Sequence, residues 1–187
     1  FNIVGIKPSC DETIYPLHYG VNLISYLGED GIPVEDAIPS EFDNIISIIG
    51  ASEATHYSAQ LDQWVGSLTN FYEDNGYWVR VDGSMEFSWN CEEGVSSRSN
   101  NDIGQSPTFD NLPEEFEFVQ SMTQTFYFIE DVEINNESIT TEDWLIAYCG
   151  ETVVGARQWF GQNTDIPVMG IDGDDYTTTY CQPNEEV

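Results

Sequence analysis

Apolar residues in this chain recur mostly at every second position, in short runs parted by turn residues. Residues 21–26, 54–60, 63–66, 77–81 and 85–89 read as short strands of this kind. Tyr19-Gly20 supplies a turn before the first, and Asp82-Gly83 between the last two is a hairpin signal. One stretch departs from the alternation. After Pro33, the residues Val34, Ala37, Ile38, Phe42, Ile45, Ile46 and Ile49 fall at near-helical spacing, with Pro39 as an interruption.

The polar run 92–111 is rich in Ser, Asn, Gly and Pro, shows no apolar period, and reads as a linker or long loop. Beyond it, residues 124–133 alternate around Phe126 and Phe128. Residues 144–149 and 152–159 predict a hairpin across Gly150-Glu151, and Val168-Met169 and 176–180 complete a set of short strands. The expected fold is mainly β. It has a small N-terminal module (1–91, α+β or β, with one helical stretch), the linker, and an antiparallel β-sandwich-like module (112–187).

Composition changes this picture through charge and cysteine. Four Lys+Arg stand against 34 Asp+Glu, a formal net charge of −30 over 187 residues. A compact body with that charge repels itself unless it is screened or neutralised. Two readings follow: a surface simply solvated in salty water, or carboxylate clusters that bind calcium. The same charge excludes nucleic acid, whose phosphates need Lys and Arg, and anionic membrane surfaces. Cys10, Cys91, Cys149 and Cys181 are widely spaced, form no C-x-x-C pair, and read as two disulfides of an oxidising compartment. Cys10 and Cys91 bracket the first segment while Cys149 and Cys181 lie in the second, so Cys10–Cys91 and Cys149–Cys181 is the expected pairing. The absence of an initial methionine before Phe1 fits a processed chain.

Residues 20–26 (GVNLISY), 64–68 (WVGSL) and 76–79 (GYWV) resemble a module of large secreted proteins from marine bacteria, which often carry sorting domains of the type IX secretion kind. Val21 stands where that family usually has Trp. The segments 126–129, 143–148, 154–157 and 167–173 resemble a β-rich module often found beside the first. The resemblance implies an extracellular or cell-surface accessory module without an established catalytic set. Modules like the second usually continue into a final core strand where this chain reaches Glu185-Glu186-Val187. The apolar run with Phe1, Ile3, Val4 and Ile6 could supply such a strand to a neighbouring copy, giving self-association into a filament. The plainer alternative is an edge strand of the first module.

The strongest metal candidate is Asp172, Asp174 and Asp175 around Gly173, with Asp165 near in sequence; calcium is the cation that carboxylate oxygens at such spacing suit. No Glu stands at the twelfth position from Asp172, so an EF-hand is not matched, and an Asp-Gly turn explains the same residues. Trp159 and Trp64 could stack on sugar rings of a polysaccharide, although small β-domains usually bury their tryptophans. His18 and His56 both lie in the first segment, and no G-x-S-x-G elbow, phosphate loop or dinucleotide fingerprint occurs. The sequence therefore predicts a non-enzymatic structural or adhesive module, with a carbohydrate-binding accessory module as the alternative.

Overall fold

The computed structural model describes residues 8–40, 44–91 and 112–182. The chain forms two compact units, Phe1–Gln105 and Ser106–Val187. The stretch read as a linker, and the donor residues Phe1, Ile3, Val4 and Ile6, lie outside the described residues. Both units are built mainly of antiparallel β-strands.

The first unit contains β1 (Tyr15–Leu17), β2 (Gly20–Ser25), β3 (Ile32–Pro33), a single helical turn α1 (Val34–Ala37), β4 (Ile45–Ile49), β5 (Ala54–Ser58), β6 (Gln63–Gly66), β7 (Asn70–Phe71), β8 (Gly76–Val81) and β9 (Met85–Phe87). Five strands make its main sheet in the order β2-β8-β4-β5-β6; β1 pairs with β9, and β3 with β7. One face of the sheet presents Ile24, Tyr77, Val79, Val81, Ile45 and Ile48 to the core. Val34 and Ala37 of α1 join that core together with an aromatic group centred on Phe71. Phe71 stacks on Tyr26 at 5.3 Å and meets Tyr77 edge-on at 4.8 Å. Trp89 closes the group and donates its indole N–H to the Ser25 carbonyl at 2.9 Å. Burial pushes the Tyr77 hydroxyl above its ordinary pKa.

Two sequence expectations fail in this unit. The helical stretch shrinks to one turn, because Ile38 leaves it in extended conformation (φ −99°, ψ 116°). The ring of Pro39 disfavours helical backbone at the residue before it. Ile45, Ile46, Ile48 and Ile49 then form strand rather than helix. Their β-branched side chains suit a pleated sheet, and a register shift between Ile45 and Ser47 masks the alternation. Asp82-Gly83 joins no hairpin either: β8 lies between β2 and β4, and the chain crosses from it to β9, which pairs with β1.

The second unit contains β10 (Gln124–Ile129), a two-residue hairpin β11 (Glu133–Ile134) and β12 (Glu137–Ser138), β13 (Trp144–Cys149), β14 (Thr152–Gln158) and β15 (Thr164–Met169). β13 and β14 form the hairpin expected across Gly150-Glu151, and β10 pairs with β15. All six residues of β15 are buried. β14 approaches it so closely that a Cβ on Gly155 would overlap the Pro167 carbonyl oxygen. Glycine is therefore required where the two strands meet. Residues 176–180 are not a strand. A 3₁₀ turn, Asp175–Thr177, occupies that position, capped by the Asp174 side chain. Each unit is closed by its own disulfide: Cys10–Cys91 with Cα atoms 6.0 Å apart, and Cys149–Cys181 with Cα atoms 5.5 Å apart.

Candidate binding surfaces

The acidic residues singled out as metal candidates do not converge. Asp165 lies on β15 with its side chain 0% exposed, and meets the Arg157 guanidinium (5% exposed) at 3.2 Å. Arg157 Nε also donates to the Asp165 carbonyl at 2.9 Å. Four strand positions separate Asp165 from Met169, roughly 13 Å of extended chain, before the turn that carries Asp172 begins. Asp165 is thus a core ion-pair partner rather than a neighbour of Asp172.

Asp172 itself organises a loop. Its Oδ1 accepts from Thr177 Oγ1 (2.6 Å) and from the Asp174 N–H (3.0 Å). Its Oδ2 accepts from the Met122 N–H (2.9 Å) and Ser121 Oγ (3.0 Å). The carboxylate therefore ties the segment before β10 to the turn after β15. The Thr177 hydroxyl, then the Met122 and Asp174 amides, hold it well below the usual carboxylate pKa range. Each of these partners donates to the carboxylate, which the loop uses as a hydrogen-bond acceptor. Asp174 accepts from the Tyr176 N–H, and Asp175 is exposed. Among the described residues, no group of three or more His, Cys, Asp or Glu is arranged to hold a metal ion.

Of the two tryptophans read as sugar platforms, Trp159 is only 7% exposed. Apolar burial accounts for it, and its ring faces are not offered to a ligand. Trp64 is half-buried, with part of its surface on the core of the first unit. It lines a groove of about 920 Å³ between α1 and the β5–β6 hairpin. Tyr57, its cross-strand partner, is 42% exposed. The two rings meet at 5.7 Å with an interplanar angle of 67°. The Tyr57 hydroxyl donates to the Asp62 carboxylate, which fixes that ring at the rim. Glu35 and Asp36 of α1 face the hairpin across the groove. Tyr57, Asp62 and Gln63 share one hairpin with Trp64, whereas Glu35 and Asp36 come from α1, which no local spacing connects to it.

Among the described residues of the first unit, the other face of the main sheet carries exposed apolar side chains at the β2-β8-β4 end. Val21, Leu23 and Trp78 are 49%, 58% and 44% exposed there. Leu23 pairs with Trp78, and Trp78 with Ile49; Val21 pairs with Arg80, and Arg80 with Ser47. None of the described residues in these two rows is Asp or Glu, although the chain carries 34 of them. The signal was present in the sequence, since Val21 and Leu23 are apolar at one strand parity and Ile24 and Tyr26 at the other.

No helix of the described residues is long and apolar enough to cross a membrane, and the two disulfides indicate an oxidising environment. No protein family, curated protein or solved structure matches the chain.

Proposed function

We propose that the chain is an extracellular structural and adhesive module that associates with further copies of itself through the exposed apolar face of its first unit. Two carboxylate-free rows across β2, β8 and β4, the wholly apolar Leu23–Trp78–Ile49 and the mixed Val21–Arg80–Ser47, carry this reading. A sheet with one packed face and one apolar exposed face is half of a sandwich, and a second sheet completes it. Two copies each bearing −30 repel, and this face lets them approach without carboxylates meeting directly. The resemblance to accessory modules of secreted bacterial proteins and the disulfide in each unit support an extracellular setting. The reading involves no catalysis and requires no calcium.

The face is small. Three strands about 4.8 Å apart and six residues of about 3.3 Å each give a patch of roughly 280 Å². A stable interface covers about 800 Å² per partner, so association is weak, reversible and dependent on crowding at a surface. Sedimentation velocity over a salt series tests it. Wild-type protein should associate more as salt rises, because the screening length falls from about 10 Å at 0.1 M to about 3 Å at 1 M. Leu23→Glu should stay monomeric throughout. A wild-type chain that is monomeric at every salt and protein concentration would refute the reading.

A second reading, a carbohydrate-binding accessory module, is favoured by the groove under Trp64 and does not depend on self-association.

A further inference from the structure

We infer that the groove between α1 and the β5–β6 hairpin binds a polymer of amino sugars, taking a protonated hexosamine ring against Tyr57 and Trp64. The inference rests on the carbohydrate-binding reading and names its ligand class.

The groove's volume of about 920 Å³ lies within the ~300–1,000 Å³ of small-molecule sites. Tyr57 and Trp64 supply aromatic surface, and the apolar C–H face of a pyranose ring packs on such surface. Both rings are held in place. Trp64 rests partly on the core, and Tyr57 is tied to Asp62 at the hairpin turn. Glu35, Asp36 and Asp62 line the same space, and no Lys or Arg is among the described lining residues.

Aromatic surface and charge together select the ligand. Uronates and sulfated sugars are repelled by three carboxylates and meet no cation. A neutral sugar can stack and donate its hydroxyls to the carboxylates, but it brings no positive charge to offset three of them. A hexosamine with a free, protonated amine satisfies both features, because its ring stacks while the ammonium group meets a carboxylate and the negative faces of the aromatic rings. A basic peptide would meet the charge requirement but offers no pyranose face to the ring pair.

Calorimetry with a glucosamine tetramer at slightly acid pH and physiological salt tests the assignment. The tetramer should bind, and Asp62→Asn should weaken it about tenfold or more through the lost charge. Asn suits that position, since residue 62 has φ +54° and Asn tolerates left-handed backbone while still accepting from Tyr57. Asp36→Asn should act in the same direction. Glu133→Gln, on the exposed β11–β12 hairpin of the other unit, should change nothing and so separates the groove from the general negative field. Equal affinity for the N-acetylated tetramer would overturn the charge argument. Equal affinity for tetralysine would overturn the sugar assignment in favour of a basic peptide. Absence of binding, or Asp62→Asn behaving as wild type, would overturn the site itself. Leu23→Glu, which targets self-association, should leave tetramer binding intact, so the two readings fail separately.

Discussion

Arg157 is one of only four Lys and Arg in the chain, and it lies inside the second unit against a fully buried Asp165. Replacing Arg157 by Met keeps most of the side-chain volume but leaves the Asp165 carboxylate without its guanidinium. It also removes the Nε–H donated to the Asp165 carbonyl. Breaking a buried pair from one side costs about 3–5 kcal/mol, because the remaining charge has lost its compensation. A unit of roughly 80 residues has a stability of about 4–12 kcal/mol, so the loss is a large share of the whole. Hydrogen exchange in urea, read at β14 and β15, measures it. Urea is preferred to guanidinium chloride, whose ionic strength would screen the net charge at the same time. Arg157→Met with Asp165→Leu removes both charges, and apolar replacement of a buried pair is often neutral or stabilising by about 1–4 kcal/mol. The double variant should therefore recover most of what the single variant loses. The reasoning fails if Arg157→Met costs less than about 1 kcal/mol, or if the double variant is as unstable as the single.

Two further outcomes follow from the same structure. The disulfides close loops of 81 and 32 residues, which corresponds to about 4.5 and about 3.7 kcal/mol of lost unfolded-state entropy. Cys10→Ala/Cys91→Ala should lower protection in the first unit only, and Cys149→Ala/Cys181→Ala in the second only, as exchange mapping would show. Asp172 has a folded-state pKa below its unfolded value, so it contributes stability above about pH 3.9 and loses it as pH falls further. Acid titration of the second unit should therefore show a steeper loss in wild type than in Asp172→Asn. Superimposable acid limbs would rule out this role for Asp172.

Local pattern carried much of the fold. Residues 21–26 and 77–81 are rich enough in β-branched and aromatic side chains to be read as strands, and Gly150-Glu151 marks the β13–β14 hairpin. The placement of the cysteines in two textural segments was enough to pair them. The helix expected after Pro33 fails because Ile45, Ile46 and Ile49 satisfy helical spacing as well as they satisfy a strand with a register shift. Asp172 is ambiguous for a chemical reason: carboxylates around a glycine suit a cation and an Asp-centred turn equally. Only the donors from Ser121 and Met122, some 50 positions away in sequence, show which partners Asp172 has. Trp159 and Trp64 look alike in sequence; the first is buried, and the second lines the groove. The groove joins α1 to β5 and β6, and the exposed apolar face joins β2 to β8 and β4. The first depends on the packing of α1 beside a distant hairpin and the second on pairings across the sheet, neither of which a local motif encodes.

The central claim is that the rows of Val21, Leu23, Trp78, Ile49 and Arg80 form the contact between copies. Amide chemical shifts followed on dilution of labelled protein at high salt test this at residue level. The account predicts concentration-dependent shifts at those residues, none at β13–β15, and their disappearance in Leu23→Glu. Shifts confined to other residues, or none over the whole concentration range, would contradict it.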